Sequence, residues 1–189
     1  MGLSELKRVI DIVVSFLALL ILSPLLLATA LMIALESGWP VLFHQTRMGL
    51  QGREFRMLKF RSMVKSAPSI GPYFTSENDP RVTRVGRFIR RTSVDELPQL
   101  INVLTGDMSL VGPRPDVPAQ QSLYSEADWA QRCSVRPGIT GLAQALYRSD
   151  STEAQRLEAD LRYTREASLW LDLRILLMTV KRLNGKGGN

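Results

Sequence analysis

Two adjacent carboxylates, Asp95 and Glu96, are the side chains of this sequence best placed to do chemistry, within residues 92–115, which read TSVDELPQLINVLTGDMSLVGPRP. Downstream, Leu97, Leu100, Ile101 and Leu104 fall at i, i+3, i+4 and i+7, the spacing of one buried helical face, and Gly106 supplies a stop. Pro98 has no N–H to donate and belongs in a first turn, which sets the predicted start near Val94 or Asp95 and the length at about ten residues. The acids are then expected at the positive end of the helix dipole, where unpaired N–H groups favour ionised carboxylates. Successive helical residues diverge by roughly 100°, so the two acids cannot both face one atom. Two jobs are implied: one carboxylate attacks or takes a proton while the other holds a cation. Ser93-x-x-Glu96 is equally a capping box, in which both acids are ordinary helix-start chemistry.

Cations come from several separate stretches. Arg56 and Lys59 belong to a predicted strand, with Arg61 just after it, and all three could face an anionic substrate or simply solvent. Arg81, Arg84, Arg87 and Arg90 recur every three residues with Arg91 beside them, a stripe that suits lipid phosphate, a nucleotide diphosphate, nucleic acid or solvent. Arg114 stands between prolines in Gly112-Pro113-Arg114-Pro115, where a fixed guanidinium fork suits a phosphate clamp and a plain surface turn is the alternative. Residues 136–141, beginning with Arg136, form a second compact turn, too irregular for a P-loop or dinucleotide fingerprint, and neither motif occurs elsewhere.

With 24 Lys and Arg against 18 Asp and Glu, the net charge of +6 suits an anionic partner without choosing its kind. Cys133 is the only cysteine, so no internal disulfide is possible, and with His44 the only histidine the candidate metals are hard, oxygen-bound ones. The 189 residues suit one domain, yet the hydrophobic 45% is unevenly spread: residues 12–35 carry no charge. As a helix that run would be about 36 Å long, against about 30 Å of bilayer hydrocarbon.

Ser23-Pro24 interrupts the run near its midpoint, and basic residues flank it on both sides, Lys7 and Arg8 before it and Arg47, Arg53, Arg56, Lys59 and Arg61 after it. The positive-inside rule puts both ends on the cytoplasmic face, so a re-entrant, monotopic helix hairpin and an ordinary span both fit. Ala28-Thr29-Ala30 adds a signal-peptide reading, disfavoured because the apolar stretch runs past it to Leu35. Short strands at 41–43 and 55–60 around a glycine-bearing turn at 49–52 read as a hairpin. Residues 64–80 read as a loop of active-site-cover length or as disorder. Residues 151–183 read as helical, with mixed charge up to Glu166. From 168 to 183, Trp170, Arg174, Lys181 and Arg182 accompany many leucines, as in an in-plane membrane helix or a core helix. Residues 185–189 read as a frayed tail. The expected fold class is α+β, mainly helical with a small β-hairpin.

These blocks resemble the monotopic phosphoglycosyl transferases, or bacterial sugar transferases, in their small single-domain form. The resemblance covers nearly the whole chain: Lys7-Arg8-x-x-Asp11, Ser23-Pro24, Lys59-Phe60-Arg61-Ser62-Met63, Asp79-Pro80-Arg81, residues 92–115, residues 136–144 and Asp160-x-x-Tyr163. It implies transfer of a phosphosugar from a UDP-sugar to polyprenyl (undecaprenyl) phosphate, giving polyprenyl diphosphate sugar and UMP, with Mg²⁺ as cofactor. It implies that Asp95 is the nucleophile of a covalent phosphosugar intermediate, that Glu96 and Asp95 hold the metal, and that Lys59, Arg61, Arg81, Arg90, Arg114 and Arg136 are candidate substrate- and phosphate-binding residues.

The same resemblance implies a re-entrant membrane helix over 1–36, turning at Ser23 and Pro24, and a catalytic domain over 37–189 on the cytoplasmic face of the bacterial inner membrane, with a C-terminal amphipathic interfacial helix. The implied partners are UDP-sugar, polyprenyl phosphate and membrane lipids, and not nucleic acid. One departure is visible: Ala145-Leu146-Tyr147 precede Arg148 where many members carry Asn-Gly, which touches the shape of that loop and the sugar it accepts. Two rivals remain: direct transfer with Asp95 as general base, and a non-catalytic basic membrane anchor for anionic lipid or nucleic acid. Sugar, nucleotide base, polyprenyl length, pathway and oligomeric state are not encoded in these motifs.

Overall fold

The computed structural model describes residues 3–70, 79–147 and 152–184. Residues 71–78 of the expected cover loop, Arg148 and the expected tail at 185–189 lie outside them. Helix α1 (Leu3–Ser37) is continuous and about 52 Å long. The break expected at Ser23-Pro24 does not interrupt it. Pro24 cannot donate to the Leu20 carbonyl one turn back, and Ser23 Oγ donates to that carbonyl instead at 2.8 Å, so no acceptor is orphaned.

Both ends of α1 are tied to the globular body. Near its start, Arg8 donates to the carbonyls of Val103 and Leu104 at 2.6 and 3.0 Å, and Asp11 accepts from Ser109 Oγ at 2.8 Å. Near its end, Ile33 packs with Val41, Phe60 and Ile89, and Glu36 accepts from the backbone N–H groups of Arg84 and Val85 at 2.8 and 3.0 Å. Between these attachments Phe16, Leu20, Ile21, Leu27 and Leu31 are exposed.

Strands β1 (Leu42–Met48) and β2 (Glu54–Phe60) form the antiparallel hairpin, with Phe43, Gln45 and Arg47 opposite Lys59, Met57 and Phe55. The first strand runs past the three residues expected of it, because its outer half is polar and pairs through its backbone. After the single turn α2 (Ala67–Ile70) comes α3 (Arg84–Arg91), whose first N–H groups are taken by Glu36 and by Thr83 Oγ1, acceptor for Gly86. A Cβ at Gly86 would lie 2.0 Å from the Ser62 carbonyl oxygen, so glycine lets α3 press directly onto the chain leaving β2.

The helix expected from Val94 or Asp95 is divided. Val94–Glu96 form a 3-10 turn, and α4 (Gln99–Thr105) begins only after Pro98, with seven residues. Ser93, at φ 57°, sits in the left-handed region that sets the turn apart, and Gly106, at φ 97°, closes α4. Two further strands, β3 (Ser109–Val111) and β4 (Gly138–Thr140), pair in parallel. Three residues carry no readable alternation, and β4 falls within the stretch 136–141 that reads as a compact turn. Helices α5 (Glu126–Arg132), α6 (Leu142–Tyr147), α7 (Glu153–Glu166) and α8 (Leu169–Asn184) complete the order. Val111, Ala145, Ala159, Tyr163 and Ile175 form one core; Met57, Val103 and Met108 form another between β2 and α4. On α8, Ile175 is buried while Trp170, Leu173, Leu177 and Val180 are exposed on an apolar stripe.

Candidate active site

Strand alternation puts Phe55, Met57 and Lys59 on one face of β2. The first two pack with Val103 on α4, and Lys59 continues the same face to the turn that precedes that helix. Asn102 locks the register: its Oδ1 accepts from Leu58 N and its Nδ2 donates to Arg56 O, both at 2.9 Å. Lys59 Nζ and Arg114 Nη2 then reach the same oxygen, Glu96 Oε1, at 2.9 and 2.8 Å.

Burial alone would raise the Glu96 pKa; Arg114 and Lys59 together outweigh it and hold the group at about 2. Asp95 is treated in the opposite way. It is 9% exposed and makes no ion pair among the described residues. Burial, and then the neighbouring Glu96 charge, push it up to about 6, while Lys59 and Arg90 pull it only part of the way back. The expected placement of both acids at the start of one ten-residue helix is corrected: Asp95 lies in a turn, before a seven-residue helix. The capping box is also absent, because Ser93 makes no side-chain cap and the Glu96 carboxylate serves Lys59 and Arg114.

The other cations divide. Arg90 donates from Nε to Ser62 Oγ at 2.7 Å and is close enough to Asp95 to lower its pKa. Arg81 forks onto Asp79 at 2.6 Å, beside the segment 71–78, and its hydrogen bonds hold Asp79 at about 2. The stripe expected from Arg81 to Arg90 is thus not one face: Arg81 precedes α3, Arg90 turns inward, and Arg84, Arg87 and Arg91 remain exposed. Arg61 and Arg136 are not brought to the acids. Arg61 lies just past β2 and its buried guanidinium takes the Gly38 and Pro40 carbonyls and Ser37 Oγ at the end of α1. Arg136 donates to the Gly106 carbonyl at 2.9 Å, at the far end of α4.

Arg47, which no motif singles out in the sequence, lies beside these groups. It shares the Lys59 face of the hairpin, donates to the Pro115 carbonyl at 3.0 Å, and is lowered to about 10 by burial and then by Arg114. Its signal was the alternation Gln45, Arg47, readable only once β1 is known to reach Met48. Among the described residues no group of three or more His, Cys, Asp or Glu converges to hold a metal. Mg²⁺ does not require one, since it is commonly held by one or two carboxylates with water and substrate phosphate. Asp95 and Glu96 fit that pattern, and Asp95 has no cation of its own. A carboxylate free to attack, beside cations in excess of the acids they serve, is suited to an anionic, phosphorylated substrate.

The pattern of the bacterial sugar transferase family matches residues 3–186. A UDP-glucose:undecaprenyl-phosphate glucose-1-phosphate transferase from Caulobacter vibrioides is 48% identical over 94% of this chain and 69% of its own length. A UDP-N-acetylgalactosamine-undecaprenyl-phosphate N-acetylgalactosaminephosphotransferase from Aeromonas hydrophila is 44% identical over 94% of this chain, which spans only 43% of that protein. The exopolysaccharide production protein PSS from Rhizobium leguminosarum bv. phaseoli is 45% identical over 96% of this chain and 98% of its own.

Proposed function

The chain belongs to the bacterial sugar transferase family, and on that premise we propose that it moves a sugar-1-phosphate from a UDP-sugar to polyprenyl phosphate, as two of these relatives' names describe for theirs. The observation that carries the reading is the division of labour between neighbouring acids: Glu96 gripped through Oε1 by Lys59 and Arg114, Asp95 without an ion pair among the described residues.

In the first step an Asp95 carboxylate oxygen forms a bond to the phosphorus bearing the sugar, and the bond from that phosphorus to the bridging oxygen breaks, its electron pair leaving with UMP. In the second, a phosphate oxygen of the polyprenyl phosphate displaces Asp95 and gives the polyprenyl diphosphate sugar. Lys59 and Arg114 hold Glu96 in place and supply positive charge where the diphosphate lies. Asp95 and Glu96 would hold Mg²⁺, which when bound offsets phosphate charge and favours ionised Asp95. A general base has little to do for a phosphate nucleophile that is already ionised, which favours the covalent route.

The membrane reading rests on the two attachments of α1. A helix crossing the bilayer would carry Arg8 and Glu36 to opposite faces, whereas both engage one globular body. That suits re-entrance by residues 1–36 around Ser23-Pro24, with 37–189 on the cytoplasmic face of the inner membrane. The exposed stripe of Trp170, Leu173, Leu177 and Val180 suits α8 lying in the interface.

The test is UMP release from a panel of UDP-sugars with polyprenyl phosphate and Mg²⁺, comparing wild type with Asp95→Asn and searching for a phosphosugar on Asp95 by mass. Release by wild type alone, with the adduct on Asp95, is the expected result. Equal release by the variant removes Asp95 from the chemistry.

A further inference from the structure

The Pro113-Arg114-Pro115 turn has an unusual anchoring problem. Its two prolines have no N–H, so the backbone around Arg114 can be fixed chiefly through its carbonyls. Four successive carbonyls are each taken by a separate donor: Pro113 O by Gly138 N at 2.9 Å, Arg114 O by Arg132 Nη2 at 2.5 Å, Pro115 O by Arg47 Nη1 at 3.0 Å, and Asp116 O by Met48 N at 2.9 Å.

Arg132 is the donor held most firmly. It is 5% exposed, and its guanidinium meets Asp116 Oδ2 at 2.6 Å and Asp160 Oδ2 at 2.9 Å. Tyr124 donates its hydroxyl to Asp116 at 2.9 Å and lays its ring 5.5 Å from the guanidinium carbon. Two carboxylates would already satisfy a buried arginine as a structural ion pair. Its extra bond to the Arg114 carbonyl connects this buried cluster to the residue that grips Glu96.

We propose that Arg132 is a positioning residue of the transfer reaction, fixing the Arg114 backbone so that the Arg114 guanidinium meets Glu96 and the diphosphate of the nucleotide sugar. This rests on the function proposed above. A lysine at 132 keeps the charge but cannot reach both acids and the carbonyl with a planar fork. Its effect should run through Arg114 and fall on donor binding.

The experiment measures kcat and KM for the UDP-sugar in Arg132→Lys, Arg114→Ala and the double variant. In Arg132→Lys, KM is expected to rise about tenfold with kcat within about threefold of wild type, and in the Arg114→Ala background the same change should move KM less than about twofold. A wild-type KM in Arg132→Lys, or effects that multiply fully in the double variant, overturns the proposal while leaving the function standing. No UMP release by wild type overturns the function, and this proposal with it. If Arg132→Lys does not fold, Asp160→Asn enters the same cycle, with the same two outcomes deciding.

Discussion

Two clusters of charge sit on either side of the Arg114 turn, and they are built with opposite stoichiometry. In the scaffold, Arg132 is one cation gripped by two acids, Asp116 and Asp160. In the site, Glu96 is one acid gripped by two cations, with Asp95 unpaired beside it and Arg47 and Arg90 close by. The scaffold has its counter-charges within it. The site holds more cations than its acids need, so its electrostatics are completed only when an anion arrives, and in the function proposed here the carboxylate without a cation is the one that reacts.

Breaking the site should cost activity without costing the fold. Asp95→Asn is expected to reduce turnover by about 10³-fold or more, since an amide cannot form the acyl-phosphate bond. It should also stabilise the protein at pH 7 to 8. The folded pKa of Asp95, about 6, lies above its unfolded value, so the folded state keeps a proton that the unfolded chain has released. Stability therefore falls as pH rises from about 4 to about 6, and the cost, at most about 3 kcal/mol, is present in full above that window. Urea melts of wild type and variant at pH 5 and pH 8 should differ most at pH 8.

Breaking the scaffold should cost the fold first, with donor binding weakened through Arg114. Arg132→Met removes the shared cation and leaves two buried acids facing one another, with an expected loss of about 3–5 kcal/mol in the same melts. Equal losses of stability from both variants would erase the distinction between the clusters.

A finer test uses protons and metal. If ionised Asp95 is the nucleophile, kcat/KM falls about tenfold per pH unit below about 6 at low Mg²⁺, and this midpoint moves to lower pH as Mg²⁺ is raised, because a bound cation favours the ionised acid. Profiles that ignore Mg²⁺ would separate the metal from these carboxylates.

Legibility followed the same division. Lys59, Asp95, Glu96 and Arg114 were readable because each lies in a short stretch with its own logic: a strand face, a turn, a proline-locked loop. Arg61, just past the end of β2 at Phe60, is carried away from the acids because its guanidinium is taken up by groups at the end of α1, a contact no local pattern announces. Arg136 likewise caps α4 from a distant turn. Arg132 is not legible in the sequence, since a buried arginine is recognisable only beside acids that arrive from other elements. In α1, length and apolarity were plain, and so was the ability of Ser23 to take up part of the hydrogen-bond loss at Pro24; that the helix stays continuous through the pair was not. The hairpin and the two C-terminal helices were legible because their periodicity runs over enough residues; β3 and β4, three residues each, were not.

The smallest expected effect tests how the site is aimed. Ser93 holds φ 57°, a left-handed conformation that costs a residue with a Cβ roughly 1–2 kcal/mol and costs glycine almost nothing. That strain turns the chain just before Asp95 and keeps the acids in a 3-10 turn rather than a continued helix. Ser93→Gly relieves it, while the added freedom of the unfolded glycine takes back part of the gain, so a net stabilisation of about 0.5 kcal/mol is expected. If rigidity at this turn aims Asp95, kcat should drop severalfold even as stability rises, because a more flexible approach spends less time in the attacking geometry. Unchanged kcat would assign the aim to the cations around Glu96 instead of to the backbone beneath Asp95.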